Sequence, residues 1–184
     1  MDVVNLQVIN RIAECSDRTV RRRDLSAVSR IIVHRIDGLG ESAIEICDRF
    51  QTDPDVAKYT GGENPYHFFI LRSGQVEQAC PLVEMTYHAR RFNLAGIGVA
   101  CIGDFRKHEP PQEQWRSLVD LCAVLRIWRE LVIVGHTELG SSATSDPAKE
   151  CPGRYLPISG LIQDVQVVER LTRERSVVDC GIIF

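Results

Sequence analysis

One long polar segment carries the residues best suited to chemistry in this chain. The segment from His136 to Gly153 begins with a histidine and closes with Cys151 beside a Pro-Gly pair. Between them stand mostly Ser, Thr, Ala and Gly, which predicts a loop with no core of its own. Long loops in compact domains are usually functional. Imidazole and thiolate are ligands that zinc favours, so we expect the loop to bring Cys151 back to His136 around a metal ion.

A third candidate ligand stands earlier in the chain, at His34. His34 follows the β-branched run Ile31–Val33, and His136 follows the apolar run Leu131–Val134 after one glycine. Each histidine is therefore expected at the mouth of a buried strand. Three protein ligands leave a fourth position for water, whose pKa zinc lowers to about 7. Spacing alone also permits a core histidine and a buried thiol, because the 14 residues between His136 and Cys151 fit no short metal motif.

Composition sets the broad class. A chain of 184 residues is long enough for one domain with a real core. Its formal net charge of -3 excludes a general attraction to nucleic acid or to anionic membrane. The seven cysteines are odd in number and contain no CxxC pair, and several have apolar neighbours. This usage indicates free, buried thiols and a reducing compartment.

Targeting signals give a further expectation. The N-terminus MDVVNLQVIN lacks a basic region followed by a long apolar one. We therefore expect no Sec-type signal peptide and no membrane span, and synthesis in the cytoplasm.

The elements that must position these residues alternate along the chain. Strands are predicted at 31–34, 66–71, 76–79, 97–103 and 131–134, with a strand-like tail at 177–184. Helices are predicted from Ser42 to before Pro54, from Pro110 to Glu130, and from Pro157 or Ser159 through Leu171. The N-terminal 16 residues fit a strand or a helix equally well. The alternation of strands and helices predicts an α/β (α+β) fold in a single domain.

Six short motifs in order resemble a known family over roughly residues 30 to 158. They are VH at 33–34, PYHFFI at 65–70, HARRFN at 88–93, IGVACIG at 97–103, GH at 135–136 and KECPGRYL at 149–156. Together they are similar to the zinc-dependent N-acetylmuramoyl-L-alanine amidases, most closely the phage endolysin branch, which is related to the peptidoglycan recognition proteins. The resemblance implies a mixed central β-sheet flanked by helices, with the zinc in a groove on one face. It also implies a zinc amidase domain at residues 30–175, an N-terminal extension at 1–29 and a C-terminal tail at 176–184.

The resemblance also assigns roles at the metal. The family's two histidine ligands fall on His34 and His136, and its cysteine ligand falls on Cys151. The implied catalytic residues are Tyr66 and Lys149, the tyrosine as a hydrogen-bonding hydroxyl and the lysine as a charge that stabilises an oxyanion. The implied reaction is hydrolysis of the amide between the lactyl group of N-acetylmuramic acid and L-alanine.

Further residues are assigned to the substrate groove or left out of it. His88 and Asn93 match family positions near the substrate cleft, with a turn-forming role kept open for Asn93. Because neighbours on a strand point to opposite faces, His67 is expected to be structural if Tyr66 faces the groove.

Two departures from the family pattern concern the chemistry. Some branches carry a glutamate as general base on the strand at 97–103, and this strand has no carboxylate. The proton acceptor is therefore open, and Tyr66 is one candidate. Some branches use an aspartate as the third ligand, which makes Asp146 the alternative to Cys151.

Three other functions stay open at this point. The first is a non-hydrolytic peptidoglycan-binding module, although such modules typically lack the cysteine that this chain keeps. The second is a cytosolic amidase that acts on recycled muropeptides, and the third is a toxin delivered by a secretion machine. The protein is expected to act on the cell wall after release or delivery, or on cytosolic muropeptides.

Overall fold

The computed structural model describes residues 4, 6–15, 21–58, 60–61, 63–142, 150–173 and 181–184. Six strands form one sheet in the order β1-β4-β3-β5-β2-β6. They are β1 (Val8–Asn10), β2 (Arg30–Ile36), β3 (Phe68–Ile70), β4 (Val76–Gln78), β5 (Gly96–Ile102) and β6 (Val132–Gly135). The β3–β4 hairpin is antiparallel, and the other neighbouring strands are parallel. The sheet is therefore mixed, as the family resemblance implies.

Four α-helices accompany the sheet within the described residues. They are α1 (Ala43–Thr52), α2 (Pro54–Ala57), α3 (Gln112–Trp128) and α4 (Ile158–Arg173). Three short 3-10 helices lie at Leu25–Ala27, Arg90–Phe92 and His136–Ser142. None of the helices in the described part of the chain has the length and apolar character needed to cross a bilayer. The α/β class is confirmed.

The two faces of the sheet are covered differently. Helices α3 and α4 cover one face and form the main core with the odd-numbered side chains of β5, through fully buried residues that include Ile97, Val99, Leu121, Leu125 and Leu161. Helix α1 covers part of the opposite face, where Ile46 and Phe50 pack with Phe69 and Ile102. Polar side chains line the rest of that face, and the candidate site lies there.

Several local predictions are confirmed by the backbone. Ser42 caps α1, its hydroxyl accepting a hydrogen bond from the Glu45 N–H at 3.3 Å. The uninterrupted apolar strand at 97–103 is β5, which lies inside the sheet with all seven residues buried. None of the six cysteines that the structure describes is in a disulfide, and all are buried except the half-buried Cys151.

Other local predictions need correction. Strand β3 begins at Phe68, so Tyr66 and His67 precede it, and the alternation of a strand does not govern their directions. The predicted strand-like tail is wrong for residues 181–184, which are irregular, while residues 177–180 lie outside the description. The reason is that Ile183 bonds the side chain of Gln78, which donates to its carbonyl oxygen at 2.6 Å and accepts from its N–H at 2.9 Å. The loop predicted after His136 starts instead with the 3-10 helix His136–Ser142.

The N-terminal segment is part of the sheet. Its first strand, β1, pairs in parallel with β4 and so decides between the strand and helix interpretations. Further along, the buried guanidinium of Arg23 donates to the carbonyl oxygens of Leu82 (2.8 Å), Asn93 (3.1 Å) and Gly96 (2.6 Å). Burial lowers the pKa of Arg23 to about 10. Arg23 thereby ties the irregular segment before β5 to the N-terminus.

Candidate metal centre

Parallel pairing of β2 with β6 brings the two candidate histidine ligands together. Val33 is aligned with Gly135, so the next residues, His34 and His136, stand side by side. His136 directly follows β6, whereas β2 continues for two residues beyond His34, so the prediction that His34 lies at the end of its strand is wrong. Their ring centroids are 4.5 Å apart. On its other side His34 is aligned with Ala100 of β5, whose small side chain leaves space above the sheet.

The backbone around Cys151 is bound directly to the segment after β6. The Thr137 N–H and hydroxyl both donate to the Cys151 carbonyl oxygen, at 3.0 and 2.9 Å. Gly135 permits this approach, since a Cβ atom there would lie 2.9 Å from Cδ of Pro152. On the opposite side Arg35 Nε donates to the Glu150 carbonyl oxygen at 3.0 Å. These contacts hold Cys151 beside His136.

The three candidate ligands have a spacing that suits zinc. One ligand atom each from His34, His136 and Cys151 lies within 4.8 Å of the others. Cys151 Sγ is 3.8 Å from His34 Nδ1. Tetrahedral zinc with the usual Zn–S and Zn–N distances separates such atoms by roughly 3.6 Å. The residues present therefore fit a three-ligand zinc site, without large movement of the side chains.

Burial sets the protonation state of the first ligand. The pKa of His34 is well below its usual value, mainly because the ring is buried and further because His136 and His88 lie nearby. His34 is therefore neutral, which is the form that binds metal. His136 and Cys151 are only half-buried. The cluster is thus closed to solvent at His34 and partly exposed at His136 and Cys151.

Tyr66 lies next to the ligands. Its ring centroid is 4.9 Å from that of His34, and Phe69 packs edge-on against it at 5.6 Å. Burial, and secondly the proximity of Cys151, raises the pKa of the phenol. The hydroxyl consequently keeps its proton at neutral pH and can donate a hydrogen bond, which favours a donor role over the proton-acceptor role considered from the sequence.

The remaining predicted site residues lie behind the ligands or outside the description. His88 Nδ1 is 2.9 Å from His34 Nε2, and the Asn93 side chain bonds the backbone of His88. Burial lowers the pKa of His88 to about 3, with repulsion from His136 and Arg23 adding to the effect. Lys149 and the alternative ligand Asp146 belong to residues 143–149, which the structure does not describe.

His67 is buried in a different environment from Tyr66. Its Nδ1 accepts the Gly98 N–H at 3.0 Å and lies 3.0 Å from the Thr86 hydroxyl. Its Nε2 is 3.0 Å from the Glu84 carbonyl oxygen. These contacts join the chain just before β3 to β5 and to the segment between β4 and β5. They support the structural role that was predicted for His67.

Strand β5 shows a feature that sequence reasoning missed. Its residues on the side of the site are Gly96, Gly98 and Ala100, and no residue of β5 has a carboxylate. A Cβ atom at Gly98 would lie 3.0 Å from the His88 ring. The sequence pattern could have predicted it, because small residues at alternate positions of a strand often indicate that another group approaches the backbone closely. Arg35 and Thr137, which hold the Cys151 segment, were also missed, although each directly follows a candidate ligand.

Comparisons with known proteins agree with this geometry. The sequence profile of the family described as N-acetylmuramoyl-L-alanine amidase matches residues 23–154, which is more than half of the chain. A peptidoglycan-recognition protein of Drosophila simulans is 30% identical over 95 residues, a match that covers 50% of this chain and 48% of the relative. The chain thus spans about half the length of the curated relative that it matches.

Solved structures show the same fold. The Ph2119 endolysin from a Thermus scotoductus bacteriophage superimposes with a TM-score of 0.70 at 19% identity, covering 86% of this chain and 99% of the endolysin. The N-acetylmuramoyl-L-alanine amidase endolysin LysCS of Clostridium intestinale gives a TM-score of 0.66 at 17% identity, with coverages of 87% and 95%. With its profile match, fold and ligand cluster in agreement, the chain belongs to the N-acetylmuramoyl-L-alanine amidase family.

Proposed function

We propose that this protein is a zinc-dependent N-acetylmuramoyl-L-alanine amidase that degrades peptidoglycan. The bond cleaved is the amide between the lactyl group of N-acetylmuramic acid and L-alanine. The observation that carries the proposal is the cluster of His34, His136 and Cys151, whose ligand atoms lie within 4.8 Å of one another in a member of this family. Both ligand types of the family, imidazole and thiolate, are present in this cluster.

The residues around the cluster divide the chemistry between them. When bound, zinc supplies Lewis-acid polarisation of the scissile carbonyl and a water of lowered pKa. The protonated Tyr66 hydroxyl donates a hydrogen bond toward the carbonyl oxygen, where negative charge develops. Lys149, two residues before Cys151, supplies a compact positive charge for the same oxyanion. The neutral His34, buried against the sheet, keeps its metal-binding nitrogen free of a proton.

The proposal is tested by the product and by the metal together. Purified zinc-loaded protein is incubated with bacterial cell walls, and new N-terminal L-alanine is measured. Zinc content is determined in parallel for the wild type and for Cys151→Ser, which removes a thiolate from a three-ligand site. We expect alanine release by the wild type and the loss of most zinc and activity in the variant. A variant with wild-type zinc content would refute the ligand assignment and favour Asp146.

A peptidoglycan-binding module without hydrolysis is the second candidate. The 30% identity to a peptidoglycan-recognition protein supports it. It requires that zinc-loaded protein binds cell walls and releases no N-terminal alanine. A third candidate, the recycling enzyme, is distinguished by rates: it would cleave soluble anhydro-muropeptides faster than intact sacculi, whereas a lytic enzyme delivered to the wall would prefer sacculi.

The domain limits are also proposals. We place the zinc amidase domain at residues 30–175, with 1–29 as an N-terminal extension and 176–184 as a tail. The family match from residue 23 and the bonds of Arg23 support moving the working boundary to include that residue. A truncation that begins after Arg23 should accordingly fold less stably than one that begins before it.

A further inference from the structure

The second ring nitrogen of His34 has a specific partner. Nδ1 of His34 faces the ligand side, 3.8 Å from Cys151 Sγ, while Nε2 lies 2.9 Å from Nδ1 of His88. A nitrogen that binds metal carries no proton, so the one proton of a neutral His34 belongs on Nε2. Nε2 then donates to His88 Nδ1, which must be the unprotonated nitrogen of that ring.

We propose that His88 is a positioning residue for the metal ligand His34. By accepting the Nε2–H bond, His88 fixes both the tautomer of His34 and the orientation of its ring, so that Nδ1 faces the metal. Partners of this kind usually are carboxylates, backbone carbonyls or water. This proposal rests on the zinc site proposed above, and it gives His88 a role in place of the substrate contact predicted from the sequence.

The environment of His88 is built to hold its ring in one place. A Cβ atom at Gly98 would lie 3.0 Å from Cγ and Cδ2 of the ring, and one at Gly96 would lie 3.1 Å from Cε1. The ring therefore lies directly on the β5 backbone, at positions where only glycine leaves room. The His34 ring meets it edge-on with a centroid distance of 5.0 Å. Tyr66 and His67 are at 6.1 and 6.3 Å.

Burial separates His88 from a polymeric substrate. Only 8% of the residue is exposed. Its Nδ1 atom is already occupied by His34. A side chain so enclosed reaches the reaction through the ligand that it touches.

Asn93 holds His88 from the backbone. Its Oδ1 accepts the N–H groups of His88 (3.1 Å) and Ala89 (2.7 Å), and only 9% of Asn93 is exposed. Asn93 and His88 thus form one support that runs from the 3-10 helix Arg90–Phe92 to the metal ligand. Both residues that the resemblance linked to the substrate groove point to the back of the site.

Two variants of equal shape separate the hydrogen bond from simple packing. The side chains of asparagine and leucine match in number of non-hydrogen atoms and in branching, but only the asparagine amide offers an oxygen near the position of Nδ1. We therefore compare His88→Asn with His88→Leu. Zinc affinity is measured by competition with a chelator, and the Co²⁺-substituted proteins are compared by visible absorption, which reports coordination geometry.

His88→Leu should raise the zinc Kd about 10- to 100-fold, the usual effect of losing such a partner, and should alter the Co²⁺ spectrum. His88→Asn should stay close to the wild type in both measurements. Equal zinc affinity in His88→Leu and the wild type, with a raised KM for muropeptide, would overturn the proposal in favour of substrate contact. Equal losses in both variants would also overturn it, because packing alone would then explain them.

Cys151→Ser in the same titration distinguishes the two proposals. If Cys151→Ser loses zinc and His88→Leu does not, the metal site stands and the role of His88 is wrong. If Cys151→Ser keeps its zinc, the metal site itself is wrong. The wild type supplies a test that does not depend on folding of a variant: long-range ¹H–¹⁵N NMR of the zinc-loaded protein should show His34 protonated at Nε2 and His88 unprotonated at Nδ1. Protonation of His34 at Nδ1 would refute the proposal.

Discussion

The two faces of strand β5 perform opposite tasks with side chains of opposite size. On the helix side, Ile97, Val99 and Cys101 are fully buried in the core under α3 and α4. On the other side, Gly96 and Gly98 carry no side chain, and the His88 ring occupies the space. Apolar area stabilises the first face. The second face lacks this apolar area, because the imidazole ring lies where side chains would be. The residues that stabilise the fold and those around the candidate site therefore lie on opposite faces of the same strand.

The largest effect is expected on the helix face. Leu121→Ala removes a fully buried side chain from α3 and should reduce the free energy of unfolding by about 2–5 kcal/mol. Denaturant unfolding of the zinc-free protein measures this loss. The zinc Kd of the folded variant should not change, and a fall in affinity comparable to that of Cys151→Ser would contradict the separation of the two faces.

The next effect is expected on the site face, in rate rather than in stability. Tyr66→Phe removes only a hydroxyl beside the ligands, and it should lower kcat about 100- to 1000-fold, or about 2.7–4 kcal/mol, as for loss of an oxyanion donor. Turnover of muropeptide is compared at equal zinc content. A kcat within a few-fold of the wild type would remove Tyr66 from the mechanism.

Replacing glycine by alanine should have opposite effects on the free energy of unfolding at two positions. Gly98→Ala places a Cβ atom 3.0 Å from the His88 ring, and it should lower the free energy of unfolding by about 1–3 kcal/mol and weaken zinc binding. Gly160→Ala, in α4, meets only Cγ of Pro157 at 3.6 Å and should raise stability by about 0.5–1 kcal/mol. Thermal unfolding of both variants checks the pair. If both variants were stabilised, there would be space for a methyl group between β5 and the His88 ring, which would contradict the close packing of this ring on the strand.

The last expected effect is a gradual one, the dependence of stability on pH that the buried histidines of the site face should cause. The pKa values of His34, His67 and His88 are all lowered, in each case first by burial. Below about pH 6.5 the unfolded chain binds protons that the folded protein excludes. The free energy of unfolding should therefore fall with decreasing pH, by up to about 1.4 kcal/mol per pH unit for each histidine.

Zinc-free protein unfolded in denaturant between about pH 7 and 5.5 provides this slope, in a window above the titration of ordinary carboxylates. Leu121→Ala serves as the control, since it should shift the curve downward without changing its slope. Stability that is constant across this window would show that the buried histidines accept protons in the folded state.

The elements with a regular hydrophobic pattern were predicted correctly from the sequence. The apolar run of β5 and the periodic spacing of α3 are strong signals, since each is decided by burial on a fixed face. The start of β3 was predicted less accurately. The aromatic run that includes Tyr66 and His67 suggested that both lie in the strand, but β3 starts at Phe68. The tail was predicted from its apolar composition, while side-chain bonds to Gln78 decide its path at Ile183.

The site was predictable in its ligands and less so in their support. His34, His136 and Cys151 were chosen by residue type, by position after strands and by resemblance, and the structure brings them together. The inward direction of His88 was not visible, because it depends on the absence of side chains on a neighbouring strand. The buried hydrogen bonds of Arg23 were not predicted either. A short basic run in a sequence is usually solvated, whereas here the Arg23 side chain is buried and donates to backbone carbonyl oxygens.

The alignment of His34 with His136 has a consequence for metal exchange. Their separation is set by two adjacent parallel strands, which backbone hydrogen bonds hold about 4.8 Å apart whether or not an ion is present. Two of the three candidate ligands are therefore placed by the sheet, and hydrogen bonds from Thr137 and Arg35 hold the segment of the third, Cys151, beside them. Zinc binding at the proposed site should therefore need little rearrangement of the backbone, and removal of zinc should leave the sheet unchanged.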